Sequence, residues 1–223
     1  PEPSTQISTQ TLTPSPEKPG ELVSVPQGAE AADAQGRITG AAQASLQSGP
    51  NYQASVLYHH NRARANHGAP PLVWDAACEA GAKRTADMCI FAHPSFLKDL
   101  KQGQNLYTRS GSYFNVTGGI TENWYKKEFP AYAPYFGKEI PSNLFPTVFP
   151  QAGHLTAMLW KGTSKVGCVS LDCGTRMKMG DGSSTTMNKF TVCNYAPAGN
   201  VIGQFAANVG VPIQTANLGS WLD

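Results

Sequence analysis

"GHLTAMLWKGTSKVGC", residues 153–168, joins a histidine, a short apolar helix signal and the start of a strand. Leu155, Met158 and Leu159 fall at i, i+3 and i+4, one face of a helix. His154 stands at the mouth of that run, where serine or aspartate would cap the helix more cheaply. Downstream, "KVGCVSLDC" (165–173) and "KFTVCNY" (189–195) read as two strands. Between them Gly180-Asp181-Gly182 is a hairpin-turn signal, and a turn centred there sets Cys168 opposite Cys193, within reach of a bridge.

Upstream, "NYQASVLYHHNRARANHG" (51–68) repeats Val56, His60, Ala63 and His67 at helical spacing, and Gly68 ends the helix. "APPLVWD" follows as an extended connector, with Asp75 placed to cap the next helix. There Cys78, Ala82, Thr85, Ala86 and Cys89 share a face. The two cysteines are roughly 16 Å apart along that axis, too far to bridge each other. "GGITENWYKKEFPAY" (118–132) reads as a third helix stopped by Pro130. A loop of prolines and aromatics then runs to Pro150. Helices around a small antiparallel sheet make an α+β layered domain.

Residues 1–50 are mostly Pro, Ser, Thr, Gln, Glu, Gly and Ala, a composition that reads as a disordered spacer or stalk. The domain is expected over 51–215, with a C-terminal tail at 216–223. A net charge of +2 without a basic block argues against nucleic acid. No apolar run reaches the length of a membrane helix. The opening PEPSTQ is not a signal peptide, and the chain reads as soluble and already trimmed of its signal. Five cysteines without a C-x-x-C pair disfavour a zinc knuckle and suggest secretion, as does the Asn115-Val116-Thr117 glycosylation sequon in a Gly/Ser-rich stretch.

"HNRARANHGAPPLVWD", "GHLTAMLWKGTSKVGC" and "CNYAPAGNVIGQF" together resemble the CAP superfamily, the cysteine-rich secretory proteins, antigen 5 and pathogenesis-related protein 1. The likeness extends to secreted fungal pathogenesis-related-1-like proteins. It implies a three-layer α-β-α sandwich with a central cleft carrying two histidines and two glutamates. One histidine matches His154; the other matches His93 in "CIFAHPS". One glutamate is replaced by Gln104, in "GQNL". The other position, three residues after Trp124, holds Lys127, so Glu128 takes the role through a one-residue insertion, with Glu122 as the alternative. The resemblance also implies the bridges Cys168–Cys193 and Cys89–Cys173. Cys78 is left as a buried free thiol or a dimerising one, with a monomer expected. His59, His60 and His67 keep the ordinary reading of structural histidines.

Three functions follow from that likeness. A hydrolase would use the histidines, carboxylates and a hydroxyl such as Thr156, but no G-x-S-x-G elbow is present and Gln104 removes a carboxylate, so the chain reads as no enzyme. Weak Zn²⁺ binding would use His93 and His154, with Glu128 completing an open site; no organic cofactor is expected. Lipid binding, of a sterol or fatty acid, would use Tyr132, Tyr135, Phe136, Phe145 and Phe149 of the proline-stiffened loop. The expectation is a secreted, non-enzymatic lipid-binding protein, free or attached to a cell wall, acting in lipid export, sequestration or host interaction. A protein-recognition module contacting a host or cell-wall protein is the alternative beside the hydrolase.

Overall fold

The computed structural model describes residues 36–223. The segments are α1 (Gly40–Ala44), α2 (Gly49–Asn66), β1 (Val73–Trp74), α3 (Ala76–Ala86), β2 (Ile90–Phe91), α4 (Leu97–Leu100), β3 (Gly103–Arg109) and α5 (Val116–Gly118). A π-helical segment, Gly119–Lys126, continues α5. Then come α6 (Phe129–Tyr132), α7 (Phe145–Val148), α8 (Gly153–Leu159), β4 (Lys165–Asp172), β5 (Lys178–Met179), β6 (Lys189–Ala196) and α9 (Phe205–Asn208).

The central sheet runs β1-β4-β6-β3. β6 pairs antiparallel with β4 and β3, whereas β1 adds a two-residue parallel edge, so the sheet is mixed rather than wholly antiparallel. β2 and β5 form a separate parallel pair. Alternation along β6 divides the protein into layers. Cys193 and Tyr195 face a large core built from α2, the π-helical segment and α8, while Phe190 and Val192 face a smaller core beneath α3. Gly167 brings α3 close, because a Cβ there would lie 2.2 Å from the Glu79 amide nitrogen. These are the three layers of an α-β-α sandwich.

The strand register follows the turn signal, with Cys168 directly opposite Cys193 and the pair bonded at a Cα–Cα distance of 4.1 Å. The chain between β4 and β6 nevertheless leaves the ladder, passing through a 3-10 turn and β5. Cys89 and Cys173 form the second bridge, and Cys78 is free and buried. Asp75 caps α3 by accepting the Cys78 amide at 2.9 Å. Gly68 follows α2 with φ +61, a left-handed conformation suited to glycine.

Two boundaries differ from the composition reading. Residues 36–50 include α1, and Gln43 and Ala44 are buried. Residues 220–223 are clasped onto this segment: Gly40 N donates to Leu222 O, and Gln43 Nε2 donates to Asp223 O at 2.7 Å. The partners are separated by nearly the whole domain in sequence, which local composition does not register. Of the spacer expected over 1–50, residues 1–35 lie outside the described residues. Pro130 also behaves differently: it occupies the first turn of α6, where its missing N–H costs no hydrogen bond, and starts a helix instead of stopping one.

Candidate functional site

Glu128 reaches the site because of the π-helical segment. A π turn accommodates one residue more than an α turn, and the Lys127 amide bonds back to Glu122 O at 2.9 Å, an i to i+5 step. This widening absorbs the extra residue before Glu128. The carboxylate then meets α8 from across the domain. Its Oε1 lies 2.5 Å from His154 Nδ1, and its Oε2 accepts the Leu155 amide at 2.8 Å. Ala152, at the N-cap of α8, provides no side-chain cap, so Glu128 supplies it from another segment. His154 is further fixed by Trp124, whose ring stacks on it at 6.1 Å and 11°, and its carbonyl accepts from Asn105.

His93 follows β2 and belongs to a second cluster. Its Nδ1 lies 2.9 Å from Gln104 Oε1, while Gln104 Nε2 donates to Thr85 Oγ1 and Asn194 Oδ1, each at 2.9 Å. With both amide hydrogens used in this way, Oε1 is an acceptor and His93 Nδ1 carries the proton. Asn194 donates onward to Gln102. Gln104 thus does what a carboxylate would not, because Asn194 Oδ1, which it faces, can only accept.

A cleft of about 470 Å³ opens beside His154. Its lining mixes the apolar Phe91, Leu106, Trp124, Ala131 and Pro150 with the polar Tyr107, Thr108, Asn123, Lys127, Glu128, Gln151 and His154. His93 and Gln104 are not among the lining residues. No group of three or more His, Cys, Asp and Glu able to hold a metal occurs among the described residues. The described residues give zinc no support: His154 meets Glu128 through Nδ1, and His93 meets the neutral Gln104 amide in a separate cluster. Thr156 is no nucleophile, since it is buried and its hydroxyl donates to Ala152 O and Gly153 O.

The loop aromatics already have neighbours. Tyr132 and Phe136 lie in the main core, at 5.1 Å from each other. Phe145 and Phe149 stack at 4.9 Å and 10°, and both meet Phe205 edge-on. Asn115 is half-buried and caps α5, its Oδ1 accepting the Gly118 amide at 2.9 Å.

The other histidines are structural. His60 bonds Val56 O and the Tyr195 hydroxyl, each at 2.8 Å, and burial lowers its pKa to about 4. Burial takes His67 to about 4 and His59 to about 3, the latter helped by Arg62 and Arg37. Sequence reasoning passed over Lys127 and Tyr107 as site residues; the one available signal was the lysine occupying the position expected for glutamate.

The family model described as "CAP: Cysteine-rich secretory protein family" matches residues 57–195. The chain belongs to this family. A probable pathogenesis-related protein of Arthroderma benhamiae is 39% identical over 164 residues, covering 74% of this chain and 50% of that protein. Human peptidase inhibitor 15 is 32% identical over 168 residues, 73% of this chain and 64% of that one. The chain thus spans between half and two thirds of the length of these relatives. The secreted protein RBT4 of Candida albicans is 29% identical over 153 residues, 68% of this chain and 36% of that one. Among solved structures, Na-ASP-1 shares the fold with a TM-score of 0.52 at 24% identity, covering 74% of this chain and 44% of that one. The relatives carry the names of pathogenesis-related proteins and peptidase inhibitors, not of enzymes.

Proposed function

We propose that this CAP chain works outside the cell as a non-catalytic binding protein for an amphipathic lipid, a sterol or a fatty acid. The observation that carries the reading is the position of the aromatic loop relative to the cleft. Ala131 and Pro150, the residues flanking Tyr132–Phe149 on either side, both line the cleft. The loop therefore rises from the rim of a cavity whose lining includes Phe91, Leu106, Trp124, Ala131 and Pro150, of a size ordinary for small-ligand sites. An apolar body that covers these residues gains roughly 25 cal/mol for each Å² removed from water.

The non-catalytic part of the reading rests on the nucleophile position: the hydroxyl nearest His154 in sequence, Thr156, is buried and turned into its own helix. The two disulfides and the secreted relative RBT4 support the extracellular placement. Mass spectrometry of lipid carried by protein recovered from culture medium tests the reading, together with competition between labelled cholesterol and labelled palmitate. Saturable binding of either supports it; protein free of lipid that binds neither overturns it.

A further inference from the structure

The two edges of the central sheet are not alike. One is β1, two residues long, a length that gives a visiting strand little to pair with. The other is β3, seven residues long, without proline, and paired in the sheet with β6 alone. The ladder sets which of its backbone groups point outward. Cys168 and Cys193 have Cα atoms 4.1 Å apart, the spacing of a non-hydrogen-bonded antiparallel pair. Cys193 therefore turns its N–H and C=O to the other side, onto Asn105, and the bonding to β6 repeats at Gly103, Tyr107 and Arg109. Gln104, Leu106 and Thr108 turn theirs away from the sheet. The Trp124 indole agrees, since it donates to Leu106 O at 3.1 Å from outside the ladder.

The cleft lies along this edge. Leu106, Tyr107 and Thr108 line it, and other lining residues come from both layers. Phe91 packs with Leu106 in the core beneath α3, whereas Trp124 belongs to the core on the α2 side. Tyr107 packs on that α2 side, and so does the Asn105 side chain, which donates to His154 O and to the Tyr195 hydroxyl.

We propose that β3 is a docking edge for an extended peptide of another protein, which adds a strand within the cleft and pairs with the Leu106 N–H and with both backbone groups of Thr108. Leu106 O stays outside the pairing, because Trp124 holds it. Outward groups on every second residue repeat at about 6.8 Å, the spacing that another extended backbone matches. Side chains of an added strand alternate between the two faces. Those opposite Leu106 and Thr108 meet the Phe91 side, and those opposite Tyr107 meet Trp124 and His154. The fitting peptide alternates apolar with polar residues and has no proline where it pairs. This goes beyond the lipid reading: a sterol or fatty acid makes no use of a row of backbone groups, so the two fail separately.

The test uses the full chain and a synthetic hexapeptide library that alternates Val, Leu or Phe with Ser, Thr or Lys. In the free chain the Thr108 amide should exchange with deuterium about tenfold or more faster than the Tyr107 amide, which bonds β6, and bound peptide should slow it by a similar factor. Methylating alternate backbone nitrogens of the best binder strips one edge of the peptide at a time. One methylated set should weaken binding about tenfold or more, and the other should bind within about threefold of the parent. Thr108→Pro removes the outward N–H but no bond to β6, and should lose the peptide. Thr108→Val removes only the hydroxyl that donates to Lys189 O, and should keep it. A thermal scan checks folding; if the proline variant unfolds, the methylated pair and the Thr108 amide still decide. Methylated sets that bind alike, or a Thr108 amide unmoved by bound peptide, overturn the proposal. A Thr108 amide already protected in the free chain also overturns it, since the chain itself or a second copy would then cover the edge. If no library peptide binds, the proposal falls, while cholesterol and palmitate titrations judge the lipid reading by themselves.

Discussion

Glu128 holds His154 and the first turn of α8 at once, one carboxylate oxygen on each. This explains why a histidine can start α8 without a capping serine or aspartate before it. The capping acceptor arrives from the residue before α6, leaving the helix start free to aim an imidazole into the cleft.

Replacing Glu128 should therefore do more than remove a charge. Glu128→Ala leaves the Leu155 amide and His154 Nδ1 without their shared acceptor in a buried place. The cost should be about 2–4 kcal/mol, with Glu128→Gln intermediate because its amide oxygen keeps one of the two bonds. Urea unfolding measures both, and an Ala variant within 0.5 kcal/mol of wild type, roughly the spread of neutral surface changes, would refute the double role.

Gln104→Glu reverses the donors of the His93 cluster. The carboxylate would face Asn194 Oδ1 without a hydrogen to offer, while the Thr85 hydroxyl can turn to donate to it. A loss of about 1–3 kcal/mol is expected, and Zn²⁺ should raise the melting temperature of this variant more than that of wild type. A variant as stable as wild type would mean that the amide orientation derived from these contacts is wrong.

Three buried neutral histidines set an acid limit. For His59, His60 and His67 the folded pKa, about 3, 4 and 4, lies below the ordinary 6.5. Between about pH 6.5 and 4 the unfolded chain binds more protons, so stability is fully present above 6.5 and falls as pH drops. At pH 5 each histidine should have cost about 2 kcal/mol. Denaturant melts at pH 7 and pH 5 check this; equal midpoints would rule it out.

Much of the frame was legible because independent local signals agreed. The Gly180-Asp181 turn and the positions of Cys168 and Cys193 imply one register, and Asp75 and Gly68 mark helix ends by their own chemistry. The π-helical segment was not legible, because one extra residue in a helical run leaves no local trace; only the displaced glutamate hinted at it. β1, β2 and β5 are two-residue pairings fixed by tertiary contact. Gln43 and Asp223 meet only when the fold is complete. At the site, the family resemblance marked His154 and Glu128 as cleft residues, whereas their direct pairing and the place of Lys127 and Tyr107 in the lining emerge only from the folded chain.

The sequon offers a separable test. Asn115 caps α5 through Oδ1, and a glycan would attach at Nδ2, so modification and capping do not compete for one atom. Asn115→Asp removes the glycan and keeps the cap, whereas Asn115→Ala removes both and should cost about 1 kcal/mol. Secretion from a glycosylating host followed by glycosidase treatment should shift wild type on a gel and leave both variants unmoved. An unshifted wild type would mean that the half-buried cap is not modified, and the Asp and Ala variants would still report the cap through their stabilities.

The aromatic loop is itself packed. Phe145 and Phe149 stack on each other and meet Phe205, which itself meets Trp160 edge-on at 5.2 Å. Serine at both positions would remove two rings from a four-ring cluster, so a loss of lipid binding could come from a loosened loop. Each ring is only partly buried, so a single Phe→Ala should cost about 2 kcal/mol, below the range for fully buried phenylalanine. The pair should cost less than twice that, because removing either ring already breaks their mutual stack. Phe145→Leu and Phe149→Leu keep most of the apolar volume and are the better probes of ligand contact. If the leucine variants unfold like wild type yet lose cholesterol or palmitate, the rings touch the ligand. If they bind normally and only the serine variants fail, the loop serves as a wall for the cleft and its aromatics are packing.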